Sequence, residues 1–287
     1  MPVPKVYIDG QAGTTGLRIH QYLAGRRDLE LIEIDPDRRK DPDARAEMLR
    51  SADAAILCLP DDASREAAEL LGDAPTVVID ASTAFRTDPA WVYGLPELAP
   101  GHREVVAASR RIANPGCYPQ TVVLGLRPLV TAGMVEAGAP VNVHALSGYT
   151  GGGKSLIAIW EDPAGGLLGL DREAFYALER VHKHIAEMHR WSGLSQAPSF
   201  APAVGPFATG MRVCVPLHAS VLAPGVDGAT VHEVLADRYA REPFVRVVLH
   251  TSALGERDLD PHACDGTNRI ELHVLPNPGG HVMIVGL

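Results

Sequence analysis

At 287 residues, 46% hydrophobic and 21% charged, the chain has the make-up of a globular protein with two domains or one large one. A net charge of −9 argues against a nucleic-acid partner, and no apolar run approaches the roughly 20 residues that span a bilayer. The cysteines at 58, 117, 214 and 264 form no Cys-x-x-Cys pair, so neither a zinc site nor a disulfide framework is expected.

Lys5 to Asp9 reads as a short apolar strand. Gly10-Gln11-Ala12-Gly13-Thr14-Thr15-Gly16 follows at once, and then a helical pattern with Leu17, Ile19, His20 and Leu23. Strand, glycine turn and helix in this order let a backbone approach a pyrophosphate at a helix N-terminus. Gly10, Gly13, Thr14, Thr15 and Gly16 are therefore candidate cofactor residues; a turn without a ligand is the plain alternative. A second strand, Leu29 to Asp35, ends about 20 residues past the glycines, where such folds present the group that reads the adenosine ribose. Asp35 is the candidate, with Arg38, Arg39 and Lys40 just after it. A carboxylate alone favours NAD, whereas adjacent basic residues suit the 2′-phosphate of NADP. The reading leans to NADP, with Arg38 as the phosphate partner; a solvated turn is the alternative for the basic run.

Ala54 to Leu59 is a buried strand that contains Cys58, and Pro60-Asp61-Asp62 ends it at the ligand-binding face of a doubly wound sheet. A helix over Ala63 to Leu71 and a strand over Thr76 to Asp80 complete a βα series with short loops. Thr83 to Ala99 is irregular, and Glu104 to Ala108 reads as a further strand.

Asn114-Pro115-Gly116-Cys117-Tyr118-Pro119 is the stretch on which the chemistry turns. Pro-Gly makes a tight entry, and Val122, Val123, Leu124, Leu126, Leu129 and Val130 then follow a helical pattern. That places Cys117 in the first turn of a helix, where open backbone N–H groups and the helix dipole favour a thiolate. A small buried hydrophobe is the commoner fate of a free cysteine, but it would not need Pro-Gly on one side and Tyr-Pro on the other. Cys117 is thus the candidate nucleophile.

Val141 to Leu146 is a strand leading into Ser147-Gly148-Tyr149-Thr150-Gly151-Gly152-Gly153-Lys154-Ser155. Gly148 to Ser155 matches the P-loop pattern. Later strands do not end in the Asp that would hold Mg²⁺, and a dinucleotide-type domain already precedes the loop. An amide-rich turn with Lys154 beside it, gripping an anionic substrate group, is the better reading, against a surface loop. Leu170 to Arg190 reads as helical and holds His182-Lys183-His184, Glu187 and His189, without the i, i+4 His pair that zinc would need. His182, or else His184, is the candidate acid/base. Gly210 to Leu217 is a strand with Cys214, Thr230 to Ala240 a helix, Phe244 to Leu249 a strand, and Asp260 to Asn268 a polar loop with Cys264. Arg269 to Leu275 reads as a last antiparallel strand, and Met283 to Leu287 is apolar.

Taken together, these motifs resemble the N-acetyl-gamma-glutamyl-phosphate reductases of arginine biosynthesis, in their shorter form. The resemblance rests on Ile8-Asp9-Gly10 through Leu17, Leu57-Cys58-Leu59-Pro60-Asp61, Asp80-Ala81-Ser82 with Phe85-Arg86, Tyr93-Gly94-Leu95-Pro96-Glu97 and Gly266-Thr267-Asn268-Arg269. Its most specific element is Asn114 to Pro119; Ser147-Gly148 with Lys154, and Tyr176 with His182-Lys183-His184 and Glu187, add to it. It implies an N-terminal Rossmann-type doubly wound domain over 1–116 and an α/β catalytic and oligomerisation domain over 117–275, similar to that of glyceraldehyde-phosphate dehydrogenase. Residues 276–287 are expected to return to the first domain. The family continues into an Asn-Leu-Gly-Lys-Gly segment and a helix beyond the point where this chain stops, and has Thr in many members where Gln120 stands. The implied activity is NADPH-dependent reductive dephosphorylation of N-acetyl-gamma-glutamyl phosphate through a Cys117 thioester, with His182 as acid/base. Arg86, Ser147 and Lys154 are the implied contacts to substrate carboxylate or phosphate. A cytoplasmic homodimer or homotetramer without a metal is expected. Aspartate-semialdehyde dehydrogenase chemistry, or a dinucleotide-binding protein without turnover, are the alternatives.

Overall fold

The computed structural model describes residues 3–250, 255 and 257–287, and divides into two compact units at Pro115 and Gly116. The first unit runs β1 (Lys5–Asp9), α1 (Thr14–Leu23), β2 (Glu30–Ile32), α2 (Pro42–Ser51), β3 (Ala54–Leu57), α3 (Asp61–Leu71), β4 (Val77–Asp80), β5 (Val92–Tyr93), α4 (His102–Ala108) and β6 (Arg111–Ala113). Its six strands are all parallel, in the order β2-β1-β3-β4-β6-β5. The order reverses at β1, so the ends of β1 and β3 open the crevice in which doubly wound folds bind ligands. Ala44 and Leu49 of α2 and Ala67 and Leu71 of α3 pack on Tyr7, Ala55, Leu57 and Val78 of the sheet. At about 25 cal/mol per Å² of buried apolar surface, such a layer is the main force holding the unit together.

The glycine turn is built by contact. Gly13 N–H donates to Gly10 O at 2.9 Å, and a Cβ at Gly16 would stand 2.4 Å from that same oxygen. Only glycine lets α1 start this close to the end of β1.

The expected strand at Glu104 to Ala108 is instead helix α4, entered through the left-handed Gly101. None of its residues is buried, and the place in the sheet is taken by Arg111–Ala113, which pairs with both β4 and β5. An apolar run of four, Val105 to Ala108, cannot by itself distinguish a buried strand from a surface helix.

The second unit continues with α5 (Cys117–Thr131), β7 (Asn142–Gly148), α6 (Gly153–Trp160), β8 (Ala174–Phe175), α7 (Lys183–Ser192), β9 (Ser199–Gly205), β10 (Met211–Leu217), α8 (Gly228–Tyr239), β11 (Val245–Leu249), β12 (Ile270–Pro276) and β13 (Val282–Gly286). Its mixed seven-stranded sheet has the order β11-β12-β13-β10-β7-β9-β8. Here β13 runs antiparallel between β12 and β10. Residues 276–287, expected in the first unit, therefore belong to the second. Val282, Ile284 and Val285 are buried, as suits an apolar strand paired on both sides. β12 is antiparallel to β13 but parallel to β11.

The expected helix over Leu170 to Arg190 forms only from Lys183. Ala177 and Arg180 adopt positive φ, at 50° and 63°, which interrupts a right-handed helix.

Candidate active site

α5 is the foundation of the site. Val122, Val123, Leu124, Leu126 and Leu129 are all at most 1% exposed, so the helix is fixed by the core beneath it. Tyr239 Oη donates to Leu124 O at 2.7 Å and Arg127 Nη1 to Trp191 O at 3.1 Å, tying α5 to α8 and to the end of α7. A Cβ on Gly286 would lie 2.1 Å from Thr121 Oγ1, so glycine there allows α5 to settle on β13.

Cys117 is the first residue of this helix, and it is exposed. Gly116 is the extended N-cap, and Pro119 brings no N–H, which leaves the amides of Cys117 and Tyr118 as the donors at the helix start. The helix dipole adds partial positive charge at the sulfur. From α7, the buried Glu187 accepts a hydrogen bond from Gly116 N at 2.6 Å. A carboxylate thus holds the residue immediately before the thiol.

Cys117 opens onto a cleft of about 340 Å³ shared with Gln120, Thr121, Ser147, Gly148, Arg269 and Cys264 among others. Ser147 joins it from β7 and accepts from Tyr118 Oη at 2.7 Å. Arg269 is the cation among the residues lining this cleft; it lies 4.0 Å from Glu271. The sequence marked Gly266-Thr267-Asn268-Arg269 only as part of the family resemblance; that Arg269 reaches the cleft, 152 positions after the nucleophile, is set by the fold. Lys154 sits exposed on α6 and is not part of the lining, and the expected glycine loop is a 3₁₀ turn followed by that helix.

His182 is the N-cap of α7: its Nδ1 accepts from His184 N–H at 3.1 Å, which leaves the proton of the neutral ring on Nε2. Burial first, and Lys183 second, push its pKa down to about 4, so the ring is neutral at physiological pH. The rings of His182 and His184 lie 4.7 Å apart, and both meet the Tyr118 ring edge-on at 6.3 and 5.6 Å. Neither imidazole lines the Cys117 cleft; both pack on the Tyr118 ring, whose hydroxyl donates to the cleft residue Ser147. Among the described residues no group of three or more His, Cys, Asp or Glu is placed to hold a metal ion.

In the first unit a cleft of about 650 Å³ opens at the switch point, lined by Gly10, Ala12, His20, Glu33, Arg39 and Lys40 among others. Gly13 and Gly16 shape the turn behind it, and Thr14 and Thr15 form the first residues of α1. His20 Nε2 and Glu33 Oε1 are 2.7 Å apart. The buried Arg45 joins Asp9 at 3.0 Å and Glu66 at 2.9 Å along the wall. Asp35 accepts instead from Asp37 N in its own turn, and Arg38 pairs with Asp41 at 3.0 Å; neither lines the cleft. Arg86, also in this unit, is buried and donates to Ala81 O at 3.0 Å. Cys58 follows β3 half-buried, and burial pushes its thiol up to about 11, which leaves it a poor nucleophile.

Two family models match this chain. One, described as semialdehyde dehydrogenase, NAD binding domain, covers residues 5–106, and the other, semialdehyde dehydrogenase, dimerisation domain, covers 117–287. The class of protein is thereby defined, and solved structures agree on the fold. Aspartate semialdehyde dehydrogenase II of Vibrio cholerae, complexed with ASA, covers 100% of this chain and 93% of its own at a TM-score of 0.67 and 16% identity. Aspartate semialdehyde dehydrogenase of Candida albicans, with NADP, covers 99% and 93% at 0.64 and 14%. Sequence relatives are more specific. N-acetyl-gamma-glutamyl-phosphate reductase of Trichormus variabilis is 44% identical over 283 residues, 96% of this chain and 88% of its own. N-acetyl-gamma-glutamyl-phosphate reductase 2 of Pseudomonas putida is 42% identical over 288 residues, 100% and 91%. The chain belongs to the N-acetyl-gamma-glutamyl-phosphate reductase family.

Proposed function

We propose that this protein reduces N-acetyl-gamma-glutamyl phosphate to N-acetylglutamate semialdehyde, with release of phosphate. The observation that carries the reading is Cys117, exposed at a helix start and held from behind by Glu187. The Cys117 thiolate attacks the acyl carbon, the carbon–oxygen bond to phosphate breaks, and a thioester remains on Cys117. When bound, a reduced nicotinamide would supply the hydride that the thioester carbon takes up in becoming a thiohemiacetal. Collapse of that adduct returns the thiolate and releases the aldehyde. The amides of Cys117 and Tyr118, at the start of α5, are the proposed donors to the oxygen that gains charge. His182 is the proposed acid/base residue, its neutral ring placing an N–H at Nε2, with His184 as the alternative. Arg269 and Ser147 in the cleft are proposed partners for the anionic and carbonyl groups of the substrate.

For the cofactor, the first cleft fits a dinucleotide: the turn where a Cβ at Gly16 would clash leaves room for close backbone approach. NADP is favoured because Glu33, a carboxylate in the position that suits an unphosphorylated ribose, is engaged by His20, while Arg39 and Lys40 line the same cleft. A homodimer or homotetramer in the cytoplasm is the proposed assembly and location; a match to a dimerisation domain supports the first.

The test is NADP reduction with N-acetylglutamate semialdehyde, with and without phosphate, for wild type and Cys117→Ser. Activity that needs both phosphate and Cys117 is the expected result. Unchanged activity in Cys117→Ser overturns the mechanism; turnover of aspartate semialdehyde in its place overturns the substrate.

A further inference from the structure

We propose that Tyr118 and Tyr176 are positioning residues which turn the Ser147 hydroxyl proton into the Cys117 cleft, so that Ser147 donates to the acyl oxygen as it gains charge. The inference rests on the reading of Cys117 as an acyl-accepting nucleophile. Three hydroxyls from separate elements stand in a row. Tyr176 Oη donates to Tyr118 Oη at 3.2 Å, and Tyr118 Oη donates to Ser147 Oγ at 2.7 Å. Tyr176 comes from the irregular segment before α7, Tyr118 from the first turn of α5 and Ser147 from the end of β7.

The direction of the row follows from chemistry. A phenol is a stronger acid than an alkyl alcohol, so it is the better donor of the pair and the alcohol the better acceptor. Burial raises the pKa of both phenols, outweighing the opposite pull of Ser147 and Tyr176 on Tyr118, and negative charge on Cys117 adds to the rise, so they keep their protons when the thiolate is present. Ser147 has one proton and two lone pairs. One lone pair is taken by Tyr118, and among the described residues the proton has no acceptor. Since Ser147 lines the cleft beside Cys117 and Gln120, the proton is left for an oxygen bound there. Packing holds the relay still: the Tyr118 ring is 3% exposed, against Phe200 at 5.3 Å and His184 at 5.6 Å.

The decisive comparison sets acylation of Cys117 against its alkylation. p-Nitrophenyl acetate places a developing oxyanion in the cleft, whereas iodoacetamide needs only the thiolate, so their ratio separates a missing donor from a displaced sulfur. In Tyr118→Phe the acylation rate is expected to fall about tenfold, the worth of one neutral hydrogen bond, with the alkylation rate unchanged. Ser147→Ala should fall at least as far, and the double variant no further than Ser147→Ala alone. Tyr176→Phe, one step removed from the cleft, should lose a few-fold, and it provides the test should Tyr118→Phe not fold. With N-acetylglutamate semialdehyde the same losses should appear in kcat, with KM nearly constant. Full acylation in both phenylalanine variants, multiplicative losses in the double variant, or alkylation falling in step with acylation would each overturn the relay. Loss of turnover on that substrate in the wild type, with acylation of Cys117 intact, would instead count against the substrate reading alone.

Discussion

Replacing Glu187 tests how the nucleophile is held. The carboxylate is 1% exposed and accepts from the buried Gly116 N–H at 2.6 Å, one residue ahead of Cys117. Glu187→Ala leaves that amide without its acceptor in a site water does not reach. A hydrogen bond to a charged group contributes roughly 1.5–3 kcal/mol, and a stranded buried donor costs about 1–3 kcal/mol, two views of one loss rather than a sum. We therefore expect the second unit to lose about 2–3 kcal/mol. Glu187→Gln keeps an acceptor oxygen and gives up only the charge, so about 1 kcal/mol should go. Urea unfolding, followed by a probe in the second unit such as Trp160 or Trp191 fluorescence, reads both changes; the two units call for separate transitions in the fit. Alkylation of Cys117 should slow in the same order, because the first turn of α5 loses its tether. Unfolding midpoints of Glu187→Ala that match wild type, together with unchanged alkylation, would refute the claim that this carboxylate positions the thiol.

Other outcomes follow from the same geometry. The C2 proton of His182 should titrate by NMR with a midpoint near 4, and a midpoint at or above 6.5 would contradict its burial. Because the folded pKa lies below the unfolded one, the stability tied to this ring is whole above about pH 6.5 and fades as pH falls toward 4. Gly16→Ala sets a methyl against Gly10 O and should weaken dinucleotide binding at least tenfold by calorimetry; wild-type affinity would show that the turn has slack. Arg39→Ala should raise the KM for NADPH about tenfold while leaving that for NADH nearly unchanged, as expected for one lost charge-assisted contact; equal effects on both would remove Arg39 from the 2′-phosphate.

Local geometry made some of this legible in the sequence. The glycine turn declares itself because close approach at Gly16 tolerates no side chain, and Pro115-Gly116 announces the helix start at Cys117. Features decided by tertiary partners were hidden. Glu187 comes to Gly116 across 71 positions, and His20 of α1 meets Glu33, just past β2, across 13. The turn after β2 spelled out three basic residues, but only the fold decides that Arg39 and Lys40 face the cleft while Arg38 bonds to Asp41. The segment before His182 looked helical because its residues have adequate propensity; the left-handed Ala177 and Arg180 belong to a conformation that propensity does not anticipate.

The position of β13 bears on how the chain folds. All pairings of the first sheet are available once residue 113 has been made, and each βα unit can dock on its predecessor. The second sheet is different. Its interior strand Val282–Gly286 comes later in the sequence than both of its neighbours, so β10 and β12 each keep a bare edge until residues 282–286 leave the ribosome. A nascent chain stalled before that point would present two unpaired β-edges and the uncovered apolar side of α5, the kind of surface that recruits chaperones or aggregates. Synthesis of the first unit can therefore be followed by folding at once, whereas the nucleophile at Cys117, made early, waits for the other end of its sheet before it has a floor to rest on.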